Sequence, residues 1–375
     1  MPKIKKYTKL SALVNRLRDD INDKDFGLLY AYNGTGKTRI SMAFKEKGKE
    51  GGENQRDTLY FNAFTEDLFY WDNDLENDAE RLLQIRSESI FFSGFKGLSL
   101  DGKISEYLGR YSDIDFDIDY GEWRVIFKKL IKNPAYTPNP NSTEPEYIIQ
   151  DHIKVSRGEE NIFIWCIFLA ICELAIDDEE GGAYAWVKYI YIDDPISSLD
   201  DNNAIAVASD LAKLLKRGKD KVKTVVSSHH SLFFNVMCNE LKHFKLNRYF
   251  LHKNGLKGHT LQKTNDTPFF HHVATLSELK KITETGEINT YHFNSLRSIL
   301  EKTATFFGLD DFGKCIYGID DDAVLYERAL NLLSHGKYSI YEPVVMGDDN
   351  KELFKRILNA FLDKYDFDLP ELLSE

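Results

Sequence analysis

A glycine-bearing loop between an apolar strand and a helix constrains this chain more than any other feature. The residues from Phe26 to Thr38 have the sequence FGLLYAYNGTGKT. The apolar part predicts a strand, and a helix should begin at Lys37 or Thr38. Glycines let the backbone turn and approach an anion, and a helix N-terminus adds its free N–H groups and the positive end of its dipole. The stretch therefore predicts a phosphate-binding loop.

This loop matches the nucleotide-binding pattern GxxxxGK[ST] at its last three positions, whereas Ala31 stands where the first glycine belongs. In such a loop the lysine reaches the β- and γ-phosphates, and the threonine hydroxyl holds Mg²⁺. We therefore expect the chain to bind ATP or GTP with Mg²⁺. The predicted nucleotide-binding residues of the loop are Asn33, Gly34, Thr35, Gly36, Lys37 and Thr38.

Length and composition narrow the class of protein. With 375 residues the chain is long enough for two domains. Its four cysteines form no CxxC pair, which predicts reduced thiols in a cytoplasmic protein. We expect no secretory signal, and the apolar run from Ile162 to Cys172 is too short for a membrane span and predicts a buried helix. The net charge of −12 disfavours nonspecific binding of nucleic acid by the whole surface but allows a local basic site.

Strands alternate with helices over the first two thirds of the chain. Apolar segments at 58–61, 187–192 and 224–228 predict strands, with a helix between the last two. This alternation predicts a largely parallel sheet. Ser156 and Glu159 are spaced as a capping box, so a helix should begin directly after Ser156.

A basic segment with interleaved aromatic residues follows at 242–263. Its cations are Lys242, Lys245, Arg248, Lys253, Lys257 and Lys263, and its aromatic residues are Phe244, Tyr249 and Phe250. The pattern fits either a solvated strand pair or a nucleic-acid-binding face. From about residue 267 the periodicity becomes helical, at 276–282, 291–307, 323–333 and 351–362, which predicts a separate helical domain.

Polar residues follow the predicted strands at the edge where open α/β sheets bind their ligands. Asp193 closes one strand and is expected to hold Mg²⁺, and Asp194 stands where a base or a water-positioning carboxylate is expected. His229 follows the next strand, where it would sense or stabilise the γ-phosphate. The helix N-terminus at Ser156 and Gly158 is suited to an anion.

The order of these motifs resembles that of the ABC-type ATPases: phosphate loop, signature, Walker B, D-loop and switch histidine. Residues 155–159 (VSRGE) stand where that family has LSGGQ, and residues 197–200 (SSLD) match its D-loop. The resemblance implies an α/β fold, with an ABC-type P-loop ATPase domain and a mainly parallel sheet over residues 1–265. It also implies a homo-oligomer in which two heads pair head to tail.

In such a pair, Ser156 and Gly158 of one head would contact the γ-phosphate held by Lys37 of the other. This chain departs from the family at two positions, because Arg157 replaces a glycine and Asp194 replaces the usual glutamate. The glutamate has a longer arm that reaches the attacking water, so we expect slow hydrolysis of the nucleotide.

A narrower resemblance, to the PrrC-type bacterial anticodon nucleases, rests on three strings. They are AYNGTGKT at 31–38, NAFTEDLFYWDNDL at 62–75 and IDDPISSLDDN at 192–202. That family also tolerates alanine at the start of its phosphate loop. The similarity extends from about residue 26 into the C-terminal helices. It implies that residues 266–375 form a smaller α-helical ribonuclease domain, which cleaves the anticodon loop of a tRNA.

One predicted helix has an apolar stripe made of Phe293, Leu296, Leu300 and Phe307. From spacing alone, Arg297 and Glu301 form an ordinary ion pair on the flank of this helix. From its position alone, His335 interacts with the C-terminus of another helix. The resemblance gives these three polar residues another role, because the family's nuclease triad has the spacing Arg-x-x-x-Glu followed by a distant His. Metal-free RNA cleavage needs a base for the 2′-OH, an acid for the leaving 5′-oxygen and a cation for the phosphorane charge. Arg297 would clamp the phosphate. Glu301 and His335 would share the acid–base work, in either assignment, giving a 2′,3′-cyclic phosphate and a 5′-OH.

The resemblance also implies a substrate and partners. The substrate would be tRNA-Lys cut beside the wobble base, read in part by Asp266. A type I restriction–modification complex would silence the enzyme, and a pyrimidine nucleotide such as dTTP would stabilise it, in anti-phage defence. Residues 266–375 carry a net charge of about −9, so the basic segment at 242–263 or a second subunit would have to supply the contacts to RNA phosphates.

Two other interpretations of the helical region stay open. The chain could be a non-nuclease ABC-type ATPase of DNA repair or phage sensing whose C-terminal helices bind a partner. The helices could also form a dimerisation bundle in which Arg297 and Glu301 are a surface ion pair. The nuclease interpretation requires Arg297 and Glu301 to converge with His335 in space, whereas the other two interpretations do not.

Overall fold

The computed structural model describes residues 4–49, 56–62, 68–72, 81–92, 97, 100–136, 138, 144–178, 182–195, 201–253, 258–265, 271–286, 288–316 and 347–365. The chain folds into two compact units. The first, here called the head unit, holds residues 6–32 and 36–260, and the second, the helical unit, holds residues 1–5, 33–35 and 261–375.

Strands and helices alternate among the described residues as follows. The strands are β1 Ile4–Tyr7, β2 Phe26–Tyr30, β3 Thr58–Asn62, β4 Phe69–Asp72, β5 Leu82–Ile85, β6 Asp115–Asp119, β7 Arg124–Lys132, β8 Tyr147–Gln150, β9 Tyr189–Asp193, β10 Lys223–Ser228, β11 Leu246–Lys253 and β12 His259–Lys263. The helices are α1 Leu10–Asn22, α2 Lys37–Lys47, α3 Asp101–Leu108, α4 Arg157–Asp177, α5 Asp201–Gly218, α6 Ser231–Glu240, α7 His271–Thr285, α8 Thr290–Phe307 and α9 Asp348–Lys364.

The larger sheet has the strand order β1-β12-β11-β2-β10-β9-β3. Strand β2 lies between β10 and β11 and runs parallel to both, while β9 lies parallel between β10 and β3. The register places Ser227 and Asn62 beside Asp193, so the carboxyl ends of these strands meet at one edge. The predicted α/β fold with a mainly parallel sheet is confirmed. This edge is where such sheets bind ligands.

A smaller antiparallel sheet, with the order β4-β5-β7-β6 and β8 paired to β7, was not predicted. Helix α4 packs between it and the larger sheet, because Phe163 contacts Phe116 and Phe127 on one side, each at 4.9 Å between ring centroids, and Phe168 contacts Phe61 at 4.5 Å on the other. A helix covered on both sides is apolar all round, which explains why every residue from 162 to 172 is buried.

The buried helix predicted at 162–172 is therefore confirmed. Among the described residues, no helix is both long and apolar enough to cross a membrane. The four cysteines are free and buried.

Tyr249 and Phe250 of the basic segment belong to the core, and the segment forms the neighbouring strands β11 and β12 with Lys242 and Lys245 exposed. The strand pair is therefore present, and the binding face stays a prediction. Strand β11 lies directly beside β2, so Tyr249 and Phe250 are only 3% and 6% exposed. Phe244 packs edge-on against Phe26 at 5.7 Å between ring centroids. Their spacing therefore reflects burial against the sheet.

The helical unit contains α7, α8 and α9. Phe293, Leu296 and Leu300 of α8 are fully buried in its core, as the periodicity predicts. Phe307 was wrongly assigned to the same stripe, because it lies at the end of α8 beyond the core and is 55% exposed. The helix predicted at 323–333 lies outside the described residues.

Candidate nucleotide-binding and ribonuclease sites

The phosphate loop leaves the carboxyl end of β2 and enters α2 as the sequence predicts. Gly34 and Gly36 have φ angles of 81° and 91°. This left-handed conformation costs other residues about 1–2 kcal/mol and suits glycine. Helix α2 begins at Lys37, directly after Gly36, so its first N–H groups stand at the loop. Asn33 and Gly34 are exposed, whereas Thr35 is buried.

The side chain of Lys37 bends back over the loop and is only 5% exposed. Its ammonium donates to the carbonyl oxygens of Ala31 and Tyr32 at 3.1 and 3.3 Å and forms an ion pair with Asp194 at 3.1 Å. Ala31 contributes a backbone carbonyl, which alanine supplies as well as glycine does. Alanine in place of the pattern's first glycine therefore leaves the hydrogen bond from Lys37 intact.

Asp194 connects the loop to the next strand of the sheet. Its Oδ1 accepts from the backbone N–H of His229 and contacts the imidazole Nδ1, both at 2.8 Å. Burial by itself would raise the pKa of Asp194, but the hydrogen bond from His229 and the charge of Lys37 outweigh it and hold the pKa below its usual value. An ionised carboxylate can only accept, so the Nδ1 position of His229 carries the proton.

Asp193 lies one residue earlier and deeper, at 1% exposure. Its Oδ1 accepts from the Ser227 hydroxyl at 2.5 Å, and its Oδ2 lies 3.2 Å from the Ser41 hydroxyl. Burial, followed by the charge of Asp194, raises the pKa of Asp193, while hydrogen bonds from Ser227 and Thr38 and the charge of Lys37 oppose the rise. The short hydrogen bond from Ser227 fixes the orientation of this buried carboxylate.

Sequence reasoning missed the hydroxyl and amide residues around Asp193. The Ser41 hydroxyl lies 2.9 Å from that of Tyr60, which accepts from the Asn62 amide at 3.0 Å. Burial raises the pKa of Tyr60 to about 12, so its hydroxyl keeps a proton. Only the order and register of the strands bring these residues together, because Asn62 and Ser227 end strands on either side of Asp193.

The donor set at this edge fits Mg²⁺. Thr38 and Asp193 offer a hydroxyl and a carboxylate joined by a hydrogen bond, and Mg²⁺ binds such hard oxygen ligands together with phosphates and water. These two residues would hold the ion, which would neutralise phosphate charge when bound. The protein itself positions this ligand, because Ser227 and Ser41 contact the Asp193 carboxylate.

Ser156 and Gly158 lie at the start of α4, where the predicted capping box is present. The Ser156 hydroxyl accepts from the Glu159 backbone N–H at 3.3 Å, and the Ser156 N–H donates to the Glu159 carboxylate at 2.8 Å. Ser156 is exposed. These bonds fix the backbone at the start of the helix. The matching D-loop segment, 197–200, lies outside the described residues.

In the helical unit, α8 brings Arg297 and Glu301 together. The Arg297 Nε donates to a Glu301 carboxylate oxygen at 2.6 Å, and the guanidinium lies 5.4 Å from the centre of the Phe312 ring. The side chains are 20% and 47% exposed, so a ligand can reach both. His335 and Asp266, the other predicted residues of this region, lie outside the described residues.

The parallel sheet, the glycine-bearing loop at its edge and the polar residues beside that loop define an α/β head with a phosphate-loop-like edge, followed by a helical region. The chain is 33% identical over 348 residues to the anticodon nuclease of Escherichia coli, which covers 83% of this chain and 82% of that protein. This chain therefore belongs to the anticodon nuclease family, as the three strings predicted.

Two other comparisons add little. The SMC head domain from Thermotoga maritima aligns with 60% of this chain and 86% of its own, at 14% identity and a TM-score of 0.25, which is too low to support a conclusion. No family model matches the sequence.

Proposed function

We propose that this protein is a nucleotide-regulated anticodon nuclease that cleaves tRNA, with tRNA-Lys as the expected substrate. The observation that carries the proposal is the contact between Arg297 and Glu301 on an accessible helix face in a chain that belongs to the anticodon nuclease family. The same contact fits a surface ion pair, so the experiment below has to distinguish the two.

The proposed cleavage uses side chains alone. Arg297 binds the scissile phosphate and stabilises the charge of the phosphorane. Glu301 and His335 share the two proton transfers, one from the ribose 2′-OH and one to the leaving 5′-oxygen. The products are a 2′,3′-cyclic phosphate and a 5′-OH. Phe312 beneath the Arg297 guanidinium limits its orientations, which favours a fixed phosphate contact.

The head unit would regulate this reaction by binding ATP or GTP with Mg²⁺. Lys37 and the loop from Asn33 to Thr38 would bind the phosphates, Thr38 and Asp193 the ion, and Asp194 with His229 would promote hydrolysis. Asp194 is already held by Lys37 and His229, and its arm is short, so turnover should be slow, as in a timed switch. Fast hydrolysis that persists in Asp194→Asn would contradict this role.

The remaining parts of the proposal concern partners. Two heads would pair head to tail in a homo-oligomer, with Ser156 and Gly158 of one completing the nucleotide site of the other. Asp266 would help to read the anticodon. We further propose a cytoplasmic enzyme of anti-phage defence, silenced by a type I restriction–modification complex and stabilised by a pyrimidine nucleotide such as dTTP.

The decisive experiment incubates the purified protein with total tRNA and EDTA, with and without prior loading with ATP or GTP, and maps the cut ends by sequencing. We expect one cut in an anticodon loop that leaves a 2′,3′-cyclic phosphate. Arg297→Ala, Glu301→Ala and His335→Ala should each abolish it, whereas Glu352→Ala, which removes an exposed carboxylate on α9, should not.

Cleavage at the wild-type rate by all three variants would show that this site is wrong. Nucleotide hydrolysis without cleavage of any tRNA would favour the partner-binding ATPase instead.

A further inference from the structure

His259 lies against the phosphate loop from the side opposite to the acidic residues. Strand β2 has β10 and β9 on one side, which carry His229 and Asp194 just beyond their carboxyl ends. On its other side lie β11 and then β12, which begins with His259. The His259 Nε2 is 3.4 Å from the point where a Cβ on Gly36 would stand. The imidazole is therefore in contact range of the loop.

The backbone before His259 is fixed by close packing. Gly258 has a φ of +106°, and a Cβ there would overlap the carbonyl oxygen of Tyr7 and the Cα of Thr8. Only glycine allows two backbones to approach in this way. The start of β12 is consequently held against the end of β1, and His259 keeps its place beside the loop.

Tyr32, the aromatic residue within the loop, is committed to other contacts. Its ring packs edge-on against Tyr30 and Phe250, at 5.5 and 6.2 Å between centroids. His259 is half-buried, so its side chain is not enclosed in the core. A planar ring in this position can stack on another planar ring.

A nucleoside triphosphate is a linear ligand, with the terminal phosphate at one end and the base at the other. If the terminal phosphate lies at Lys37, Asp194 and His229, the base has to lie on a different side of the loop. We propose that His259 contacts the nucleoside of the bound purine triphosphate by stacking on its base. This inference rests on the proposed binding of a nucleotide by the loop.

The test separates contacts to the nucleoside from contacts to the phosphates. Isothermal titration calorimetry measures the affinity of the full chain for ATP, GTP and inorganic tripolyphosphate, each with Mg²⁺. His259→Ala should weaken ATP and GTP by about tenfold, the size of one base–aromatic stacking contact, and leave tripolyphosphate unchanged. Lys37→Ala should weaken all three, and His243→Ala, at an exposed histidine of the head unit, none.

Two further variants keep the result interpretable. His259→Phe retains a planar ring and should bind ATP within about twofold of wild type, whereas His259→Asn retains polarity without a ring and should resemble His259→Ala. Circular dichroism verifies that each variant is folded.

Equal weakening of ATP and tripolyphosphate by His259→Ala would make His259 a phosphate contact and overturn the proposal. Unchanged affinities in His259→Ala and His259→Asn, with binding lost in Lys37→Ala, would overturn it while the nucleotide site stands. If the wild-type protein binds none of the three ligands, the proposed nucleotide binding fails and this inference fails with it.

Discussion

Lys37 and Asp194 come from distant parts of the sequence and meet at the edge of a sheet, whereas Arg297 and Glu301 meet within one turn of a single helix. The first pair is 5% and 14% exposed and the second 20% and 47%. The lysine is also fixed by two backbone carbonyls and the aspartate by His229.

This difference in burial and sequence separation shows which part of the fold each ion pair requires. The pair in the head unit exists only when β2, β9 and β10 are assembled, and breaking it leaves a charge in a poorly hydrated place. The pair in the helical unit requires only that α8 forms, and water can replace either partner. Substitutions of Lys37 or Asp194 should therefore change stability, whereas substitutions of Arg297 or Glu301 should change only the chemistry.

The largest expected effect is on RNA cleavage by Glu301→Gln. The amide keeps the size of the side chain and can still accept from Arg297, but it cannot transfer a proton, so the cleavage rate should fall by about 10²–10⁴-fold. The free energy of unfolding should stay within about 0.5 kcal/mol of wild type. Single-turnover cleavage and urea titration measure the two quantities. A rate unchanged from wild type would remove Glu301 from the chemistry.

Lys37→Met tests the stability that the buried ion pair contributes to the head unit. It leaves the Asp194 carboxylate with His229 alone at 14% exposure, so the head unit should lose about 2–3 kcal/mol of unfolding free energy. Arg297→Met is the matched control, with an expected loss below about 0.5 kcal/mol. Urea titration in the absence of nucleotide measures both. Equal losses in the two variants would show that the pairs do not differ as burial suggests.

Asp194→Asn tests whether the buried ion pair stabilises the head unit in a pH-dependent way. The folded pKa of Asp194 lies below its ordinary value of 3.8, so its contribution to stability is fully present above that value and is lost as pH falls through the folded pKa. The variant should be less stable than wild type by about 1–2 kcal/mol at pH 7, and the deficit should shrink below about pH 4. Urea titrations at pH 7, 5 and 3.5 measure it, and a deficit that grows toward acid pH would contradict the assignment.

The smallest expected effect concerns the end of α8. Phe306 is 84% exposed, so Phe306→Ser should change the free energy of unfolding by less than about 0.5 kcal/mol. Phe293→Ala, at a fully buried position of the same helix, should cost about 3–5 kcal/mol. Thermal unfolding of both variants measures the contrast. A large loss in Phe306→Ser would mean that this ring is covered in solution.

Local patterns predicted the elements that carry the phosphate loop and α4. The start of α2 at Lys37 and the capping box at Ser156 follow from residue types a few positions apart, which a sequence displays directly. The family resemblance, confirmed by the relative from Escherichia coli, rested on longer strings.

The antiparallel sheet was missed for a physical reason. Strands β4, β5 and β8 have only four residues each, too few for a clear alternation of apolar and polar side chains.

The contacts around the loop were less predictable than its position. Nothing in the sequence places Tyr60 and Asn62 beside Ser41, because strand order decides which side chains meet. The pairing of Lys37 with Asp194 likewise depends on how β2 and β9 flank β10. Phe307 was misassigned because periodicity continues to the end of α8, whereas the core beneath it does not.

The capping box at Ser156 has a consequence for the proposed contact between Ser156 and a nucleotide phosphate. In that motif the serine hydroxyl acts as an acceptor for the Glu159 N–H, so its own hydrogen is not used by the cap and can be donated elsewhere. The reciprocal bond from the Ser156 N–H to Glu159 also fixes the backbone of Ser156 at the start of α4. The rotation of this hydroxyl is therefore already restricted in the folded protein. A phosphate that accepted a hydrogen bond from it would bind with a smaller loss of side-chain entropy.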